Sequence, residues 1–592
     1  MTTAVTTTSV DAITARVIGG RLTSIAEEMS TKLIRMGFSI LIKESEDIGC
    51  ALLDARGWHL AQSPNVTPLQ MRHLPFCVQG MLREIAAAGD TIAPGDVLIN
   101  NSPYLGASHS PDVAFIVPVF HKGDLVAFAA AAAHHIDIGC SKPGTSVLDA
   151  VDAWAEGLQF KGVKIRDRGE DCHPLWKMIA DNVRIPSLVI GDMRAQIAAC
   201  EMGAQRLCDL MDEVGRDQVF AAQQWLEDYS ERMLRHEIAE LPDGDYRAEG
   251  LVDGFQADAS PRNKNLKLVV TLKVRGDHLE VDLTGTAPQL DNLPLNMPFE
   301  GTVTAAVHTV VRSVLLDSDT HDFVPHNRGI MRALTITAPE GTLVNPRFPA
   351  PTLARAMPGC ILSDTVVKAF AQIVPEWCCA GSGPLSVFTY TGLGPNGYWV
   401  HMDISEGSYG ARYAKDGMDA MDMLFSNTRC APVEEIETVY PLRFLRWELN
   451  DYPVGHGRFR GGKGGLRDLQ FLTDGYISSE ADGHVKAPWG FMGGTDGHPG
   501  EMWANPEGES PERLTSKLPG RQAVAGDVYR VVAPNGGGMG PPRDRDPALV
   551  LHDVLDGIVS VEEARTVYGV VVDPANRTVD EPATRRLRTG GG

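Results

Sequence analysis

The first half of the chain shows apolar spacing of two kinds. Apolar side chains recur every three to four positions near the start and predict an amphipathic helix, at Val17, Ile18, Leu22, Ile25, Met29 and Leu33. The same spacing in residues 191–215 and 218–241 predicts a helical pair joined near Gly215. The apolar stripes of these helices are most simply parts of a core.

Other apolar stretches are continuous or alternate with a period of two, and these predict strands. GCALLDARGWHLAQ, residues 49–62, predicts a strand, a turn at residues 54–57 and a second strand. Three runs between residues 96 and 133, DVLIN, DVAFIVPVF and LVAFAAAAA, fit a sheet covered on both faces. LKLVVTLKVRGDHLEVDL, residues 266–283, alternates around Gly276-Asp277 and predicts a β-hairpin.

These elements predict a mixed α/β fold of the α+β kind, with several domains and with central sheets flanked by helices. Pro-rich and Gly-rich joints near residues 345–351, 455–465 and 535–540 divide the chain. The predicted parts are a flexible N-terminus (1–16), an α/β domain with the helical pair (17–240), a hairpin-containing α+β domain (241–350), a second α/β region (351–530) and a Gly-rich turn, C-terminal helix and tail (531–592).

Composition narrows the class of partner. The 592 residues include 54 basic and 76 acidic ones, a formal charge of −22, which disfavours nucleic acid and anionic membrane. Ten scattered cysteines form no C-x-x-C pair and are expected to be reduced. The N-terminus shows no secretory pattern, and the longest strongly apolar run is far below the roughly 20 residues that span a bilayer. We therefore expect a cytoplasmic protein.

Imidazoles and carboxylates collect at the ends of two predicted core strands. His109 and Asp112 lie in a Gly- and Pro-containing loop before one strand, and HHID follows the other. Strand alternation puts His135 and Asp137 on one face and His134 on the opposite face. Burying such groups without partners costs several kcal/mol. They are therefore either paired with one another and with solvent, or they form a metal site at the strand ends.

Other catalytic signals are weak. GRFRGGKG, residues 457–464, matches a P-loop except that Gly464 stands where Ser or Thr should coordinate Mg²⁺. There is no G-x-S-x-G elbow, and nothing near Cys378 and Cys379 would activate a thiol. PNGGGMG, residues 534–540, is either a ligand-wrapping loop or a flexible turn.

Ten blocks, in order along most of the chain, resemble the hydantoinase B/oxoprolinase subunits, which include the large metal-bearing subunits of acetone and acetophenone carboxylases. The blocks are SEDIGCALLDARG, GDVLINNSPYLGASHSPDVAFIVPVF, AHHIDIGCSKPGT, EGLQFKGVKI, GDMRAQIAACEMGAQRL, APEGTLVNPRFPAP, DGMDAMDMLFSNTRCAPVEEIETVYPLR, GRFRGGKGG, NGGGMGPPRDRDP and DVLDGIVSVEEARTVYG. Where many members have N-D-P-Y-x-G-G-T-H, this chain has Ser102 for the acid and Ala107 for a glycine, so its secondary contacts or substrate preference are expected to differ.

The resemblance implies a division of labour. A hydantoinase-A-type partner subunit would bind ATP and Mg²⁺ and phosphorylate the substrate, which accounts for the incomplete P-loop here. This subunit would hold one divalent metal ion, for which the resemblance implies the ligands Asp47, His109, Asp112 and His134. Two imidazoles and two carboxylates suit Mn²⁺ or Zn²⁺, with Fe²⁺ a third candidate.

The expected function is that of the B-type subunit of a hetero-oligomeric, ATP-dependent amidohydrolase. It would open a small cyclic amide, namely a hydantoin, a 5-oxoproline-like ring or a lactam, with a metal-activated water. His135 and Asp137 are the predicted catalytic residues, which would accept or relay the proton. The alternative is the metal-bearing subunit of an ATP-dependent ketone carboxylase, and a third class is a non-enzymatic scaffold that retains the fold.

Overall fold

The computed structural model describes residues 10–64, 66–321, 323–394 and 397–589, and it confirms a mixed α/β fold with several sheets and flanking helices. Of the predicted flexible N-terminus, residues 1–9 lie outside the described residues, and the first helix already begins at Ala12. Asp11 caps this helix by accepting hydrogen bonds from the backbone N–H groups of Ile13 and Thr14. Of the predicted apolar stripe, Val17 is exposed and the other five residues are buried. The predicted domain boundaries stay a prediction.

The first sheet has seven antiparallel strands in the order β2-β1-β5-β4-β3-β6-β7. Its strands are β1 (Ile48–Asp54), β2 (His59–Gln62), β3 (Val97–Asn100), β4 (Asp112–His121), β5 (Asp124–His134), β6 (Lys161–Asp167) and β7 (Glu170–Asp171). Its helices are α1 (Ala12–Met36), α2 (Ile40–Lys43), α3 (Pro68–Arg72), α4 (Leu74–Ala88), α5 (His173–Asn182), α6 (Pro186–Val214) and α7 (Arg216–Ala239). The strand–turn–strand unit and the helical pair joined at Gly215 are confirmed.

Both faces of this sheet are apolar, as the three unbroken runs predict. In β4, Val113 and Phe115 pack into the core formed with α1 and α6, whereas Ala114 and Ile116 pack into the core formed with α4. Successive side chains of a strand point to opposite faces, so a strand covered on both sides is apolar at every position. The polar groups at the strand ends therefore lie next to an interior that is otherwise apolar.

The second sheet contains the predicted hairpin and has the order β11-β10-β9-β8. Its strands are β8 (Gly244–Gly254), β9 (Lys264–Arg275), β10 (His278–Asp282) and β11 (Leu334–Thr337), and the helices here are α8 (Thr304–Leu315), α9 (Arg328–Arg332) and α10 (Ala356–Phe370). Arg275 and His278 pair across the turn at Gly276-Asp277. Helix α10 packs on β8 and β9 and begins directly after Arg355.

Two further sheets have the orders β13-β12-β16-β19 and β14-β15-β20-β17-β18. Their strands are β12 (Ser386–Gly394), β13 (Gly397–Ser405), β14 (Leu442–Leu449), β15 (Gly465–Phe471), β16 (Gly475–Glu480), β17 (Glu501–Ala504), β18 (Glu512–Leu514), β19 (Lys517–Ala523) and β20 (Val528–Val532), with α11 (Val433–Val439) before β14. The last described elements are α12 (Pro547–Leu555), α13 (Val561–Thr566), β21 (Val572–Asp573), β22 (Thr578–Val579) and α14 (Glu581–Thr589), so several helices stand where the sequence predicts a single C-terminal one.

The Gly-rich stretches are packed core segments. Residues 534–539 are buried and lie outside any helix or strand, and the structure assigns no turn to them, which differs from the predicted turn. A Cβ atom on Gly461 would lie 1.9 Å from the carbonyl oxygen of Gly536, and one on Gly537 would lie 2.0 Å from that of Trp489. Glycine is required here because neighbouring backbones approach too closely for any side chain.

Candidate metal centre

Three neighbouring strands bring polar side chains to one edge of the first sheet. Asp112 at the start of β4 lies directly opposite His134 at the end of β5. Asp47 precedes β1 on the other side of β5, and its carbonyl oxygen accepts a 3.1 Å hydrogen bond from the backbone N–H of His134. The antiparallel register thus aligns three residues that lie far apart in sequence.

The loop before β4 adds a second imidazole. Nε2 of His109 lies 3.0 Å from Oδ1 of Asp112 and 3.2 Å from Nδ1 of His134, and Nδ1 of His134 lies 3.1 Å from the same carboxylate oxygen. One ligand atom from each of these three residues lies within 4.8 Å of the others. All three residues are buried.

The hydrogen bonds around the cluster fix both imidazole tautomers. Nδ1 of His109 lies 2.8 Å from the carbonyl oxygen of Leu353, which can only accept, so Nε2 keeps its lone pair. The Thr145 hydroxyl donates to the sulfur of Met402, so it accepts from Nε2 of His134, and in the neutral form of that ring Nδ1 then carries the lone pair. Burial, aided by the charge of Arg355, lowers the pKa of His109 to about 3, so its ring is neutral.

With both rings neutral, as metal ligation requires, two lone pairs and a carboxylate oxygen converge on one point without a proton between them. Each acceptor would repel the others unless a cation lay among them. Imidazole nitrogens with a carboxylate oxygen are an ordinary ligand set for Zn²⁺, Mn²⁺ or Fe²⁺. The carbonyl oxygen of Leu353 and the Thr145 hydroxyl orient the two rings, as groups around metal-binding histidines usually do. The residues present fit a divalent metal ion.

Asp47 lies at the rim of this cluster. Its Oδ2 is 3.8 Å from Nδ1 of His134, and within the part of the chain that the structure describes its Oδ1 has no hydrogen-bond partner. Burial raises the pKa of Asp47, with His134 and Arg355 opposing the rise. An orphaned buried carboxylate oxygen beside three converging ligands is suited to be the fourth ligand.

Two residues that the sequence reasoning missed hold Asp112 in place. Gln70 on α3 donates a 2.7 Å hydrogen bond to Oδ1, and Arg355 donates a 2.8 Å bond to Oδ2. Burial acts to raise the pKa of Asp112, but its charged and hydrogen-bonding neighbours, Arg355 among them, outweigh burial and hold that pKa well below its ordinary value. The buried carboxylate of Glu156 accepts backbone hydrogen bonds from Thr352 and Leu353 and so anchors the segment that carries Arg355.

The structure places the predicted catalytic pair away from the cluster. Nε2 of His135 donates a 2.8 Å hydrogen bond to Oε1 of Gln196 on α6, because the Gln196 amide nitrogen is committed to two carbonyl oxygens. Asp137 accepts from the side chain and backbone of Arg184 and from the backbone N–H of Gly139. These contacts support a structural role for both residues, and their part in proton transfer stays a prediction.

A small cavity of about 50 Å³ lies beside Asp47 and His134. Its wall is largely apolar, and it also contains Arg355 and Glu480. Glu480, at the end of β16, is buried, and within the described ranges its Oε2 has no hydrogen-bond partner. Burial raises the pKa of Glu480 to about 7, although Arg355, Lys517 and His134 act to lower it. A carboxyl group that titrates near neutrality beside a candidate metal site has the properties of a general base.

Gly106 lies in the loop that carries His109, and its substitution tests whether close backbone packing holds that loop in place. Gly106 has a φ of +100°, and a Cβ atom there would lie 2.2 Å from the carbonyl carbon of Phe76. We expect Gly106→Ala to cost at least ~3 kcal/mol of unfolding free energy and to weaken metal binding. Gly123→Ala is the matched control, since Gly123 has a φ of +91° and open space around it, and it should cost only ~1 kcal/mol. Urea denaturation measures both values, and equal losses would contradict the packing argument.

This fold carries, at its strand ends, a buried cluster that fits a divalent metal ion. The chain belongs to the hydantoinase B/oxoprolinase family, whose model matches residues 11–542. The B component of a "Putative D-/L-hydantoinase" of Pseudomonas sp. (strain NS671) is 48% identical to it over 582 residues, 98% of each chain.

Two solved structures share the fold. The ATP-dependent caprolactamase from Pseudomonas jessenii matches with a TM-score of 0.86 and 28% identity, covering 98% of this chain and all of that one. A nucleotide-free acetone carboxylase matches with a TM-score of 0.87 at 19% identity, covering 98% of this chain and 83% of that one, and shows the fold alone. Among the helices that the structure describes, none is both long and apolar enough to cross a membrane.

Proposed function

We propose that this chain is the metal-bearing B-type subunit of an ATP-dependent hydrolase that opens a small cyclic amide, namely a hydantoin, a 5-oxoproline-like ring or a lactam. The observation that carries the proposal is the convergence of buried ligand atoms of His109, Asp112 and His134 within 4.8 Å of one another. The names of the hydantoinase and caprolactamase relatives support the substrate class and a partner subunit.

An unstrained amide resists water because its carbonyl carbon is weakly electrophilic and its nitrogen is a poor leaving group. Transfer of the γ-phosphoryl group of ATP to the carbonyl oxygen, with release of ADP, makes that carbon electrophilic. Water then adds to the carbon and the C–N bond breaks, which opens the ring to an acyl phosphate. A second water hydrolyses the acyl phosphate to a carboxylate and inorganic phosphate. We assign the phosphoryl transfer to the partner and the hydrolysis to this subunit.

A divalent ion at this cluster would act as a Lewis acid and lower the pKa of a bound water. We favour Mn²⁺ or Zn²⁺, with Fe²⁺ a third candidate. Asp47, His109, Asp112 and His134 would be its ligands. Arg355 fixes the orientation of Asp112, and Glu480 would take the proton of the attacking water on Oε2 and return it to the leaving nitrogen. The apolar wall of the small cavity would exclude other waters.

The contacts of residues 457–464 support a separate ATP-binding partner. The P-loop-like segment leads into strand β15, where a P-loop would lead into a helix. Nζ of Lys463 is buried and donates a 2.9 Å hydrogen bond to the carbonyl oxygen of Asn450. The lysine expected to reach phosphate groups is therefore committed to the protein backbone.

We expect the isolated, metal-loaded chain to release no phosphate from ATP and to open no ring, and we expect both activities to appear with a hydantoinase-A-type partner. The measurement is phosphate and ring-opened product from a panel of hydantoins, 5-oxoproline, lactams and ketones, with and without bicarbonate. Turnover of ketones that depends on bicarbonate would instead identify a carboxylase. A dialysed chain that holds well under one divalent ion and cannot be reloaded would favour a scaffold.

A further inference from the structure

A second cavity, of about 750 Å³, lies between α1, α3, α8 and the segments 323–326 and 421–427. This volume is in the range of small-molecule sites, whereas the cavity beside the metal cluster, at about 50 Å³, is too small for a substituted ring. The larger cavity is thus a place where a substrate could lie before it reaches the cluster.

The polar side chains of this cavity include several hydrogen-bond donors without a partner, and two acceptor oxygens among the described lining residues, Oε1 of Gln62 and Oδ1 of Asp422, also have none. Nη2 of Arg72 lies 2.7 Å from Nε2 of His326, so that nitrogen accepts and Nδ1 of His326 carries the proton. Among the described residues, Arg72 and Arg312 contact no carboxylate, and three atoms have no partner: Nε of Arg72, Nη1 of Arg312 and Nδ1 of His326. The buried hydroxyl of Thr309 also has none. The side chains of Arg72, Arg312 and His326 are half-buried, but these nitrogen atoms are buried. Buried guanidinium nitrogens are normally paired, so these donors are arranged for an anion.

The two guanidinium groups remain charged at neutral pH. Burial lowers the pKa of Arg72 to about 9, helped by the charge of Arg312, and lowers the pKa of Arg312 to about 10. The carboxylate among the described lining residues is Asp422, whose Oδ2 accepts from Thr428. Burial raises the pKa of Asp422, and the charge of Asp47 adds to the rise.

The donor-lined cavity and the metal cluster share two walls. On α3, Gln70 bonds Asp112 and Leu69 lines the small cavity, whereas Arg72 lines the large one. In residues 421–428, Met423 lines the large cavity and Phe425 lines the small one. An anion held at Arg72 and Arg312 would therefore lie on the opposite side of these two shared walls from the metal cluster.

We propose that Arg72, Arg312 and His326 form a binding site for a phosphate monoester, which holds the phosphorylated substrate before hydrolysis. Two guanidinium charges match the dianion of a phosphate monoester, and planar N–H pairs suit its oxygens. The identity of that ester rests on the proposed function, since the partner would make it. The capacity of the site to bind phosphate is independent of the proposed function.

The test is calorimetric titration of the metal-loaded full chain with inorganic phosphate, phenyl phosphate and acetate. We expect both phosphates to bind more tightly than acetate, and Arg72→Gln and Arg312→Gln each to weaken phosphate binding about tenfold or more without changing metal content. Arg83→Gln is the control, because Arg83 is an exposed residue that pairs with Glu300, and it should bind as the parent does. Parent-like binding by both variants, acetate binding as tight as phosphate, or phosphate binding lost only in His109→Ala would overturn the proposal.

The reconstituted complex separates this proposal from the proposed function. In Arg72→Gln and Arg312→Gln we expect more phosphate released per ring opened than in the parent, because a phosphorylated substrate that is not held decays in solution. If the complex binds phosphate at the arginines but opens no ring, the phosphate site is supported and the proposed reaction is contradicted. If both variants open the ring at the parental rate and release the parental amount of phosphate per ring opened, the phosphate site is contradicted and the proposed reaction is supported.

Discussion

Replacing His109 or Asp112 by alanine is expected to weaken metal binding by at least about 100-fold and to abolish turnover of the complex. Each change removes one of the three atoms that converge within 4.8 Å, so only two convergent ligands and the more distant Asp47 would remain to hold a divalent ion. Metal content after dialysis and ring opening with the partner are the measurements. Asp112→Asn should lose metal as well, while its amide oxygen can still accept from Arg355, which separates loss of the ligand from collapse of the buried arginine.

The neighbouring imidazoles supply the matched control. His134→Ala should lose metal as His109→Ala does, whereas His135→Ala should keep it, because His135 bonds Gln196 on the α6 side of the sheet. Circular dichroism would show whether each variant folds. Full metal occupancy in both His109→Ala and Asp112→Ala would contradict the ligand assignment. Loss of metal in His135→Ala alone would exchange the roles of the two imidazoles.

The strands that carry the cluster were predictable because each is apolar throughout its interior. A histidine or an aspartate at the end of such a strand is conspicuous, and strand alternation was enough to separate His134 from His135. Val17 shows the limit of the same reasoning, since it lies next to the buried Ile18 yet is exposed. Apolar spacing identifies the helix, but only packing decides the edge of its buried face.

The residues that complete the site were not predictable from the local pattern. Arg355 is 243 positions from the Asp112 that it binds, and it precedes a helix in a stretch with no chemical motif. Glu480 ends a short strand, where a glutamate is ordinarily solvated. Only the tertiary fold buries both beside the cluster, because α10 and β16 come from parts of the chain that no local signal joins to the first sheet.

Replacing Glu480 by glutamine is expected to lower turnover at least ~100-fold while leaving the metal in place. A general base contributes factors of this order, and glutamine keeps the shape but cannot take a proton. Since the base acts ionised, parental activity should fall as pH drops below about 7, the pKa of Glu480, and a bound cation should move that fall to lower pH. Glu480→Gln should lack this acid limb. Glu512→Gln is the control, because Glu512 is an exposed partner of Arg521, and it should keep both rate and profile.

The same substitution has a signature in stability that does not depend on activity. Burial raises the pKa of Glu480 from an ordinary 4.5 to about 7, so in the metal-free chain the ionised carboxylate opposes folding. The folded state binds the proton more tightly than the unfolded state, and stability is therefore lost as pH rises from about 4.5 to about 7. Metal-free Glu480→Gln should then melt at a higher temperature than the parent at pH 8 and show a smaller difference at pH 5. Equal melting temperatures at pH 8, together with an unchanged acid limb of activity, would mean that Glu480 is neither strained by burial nor the base.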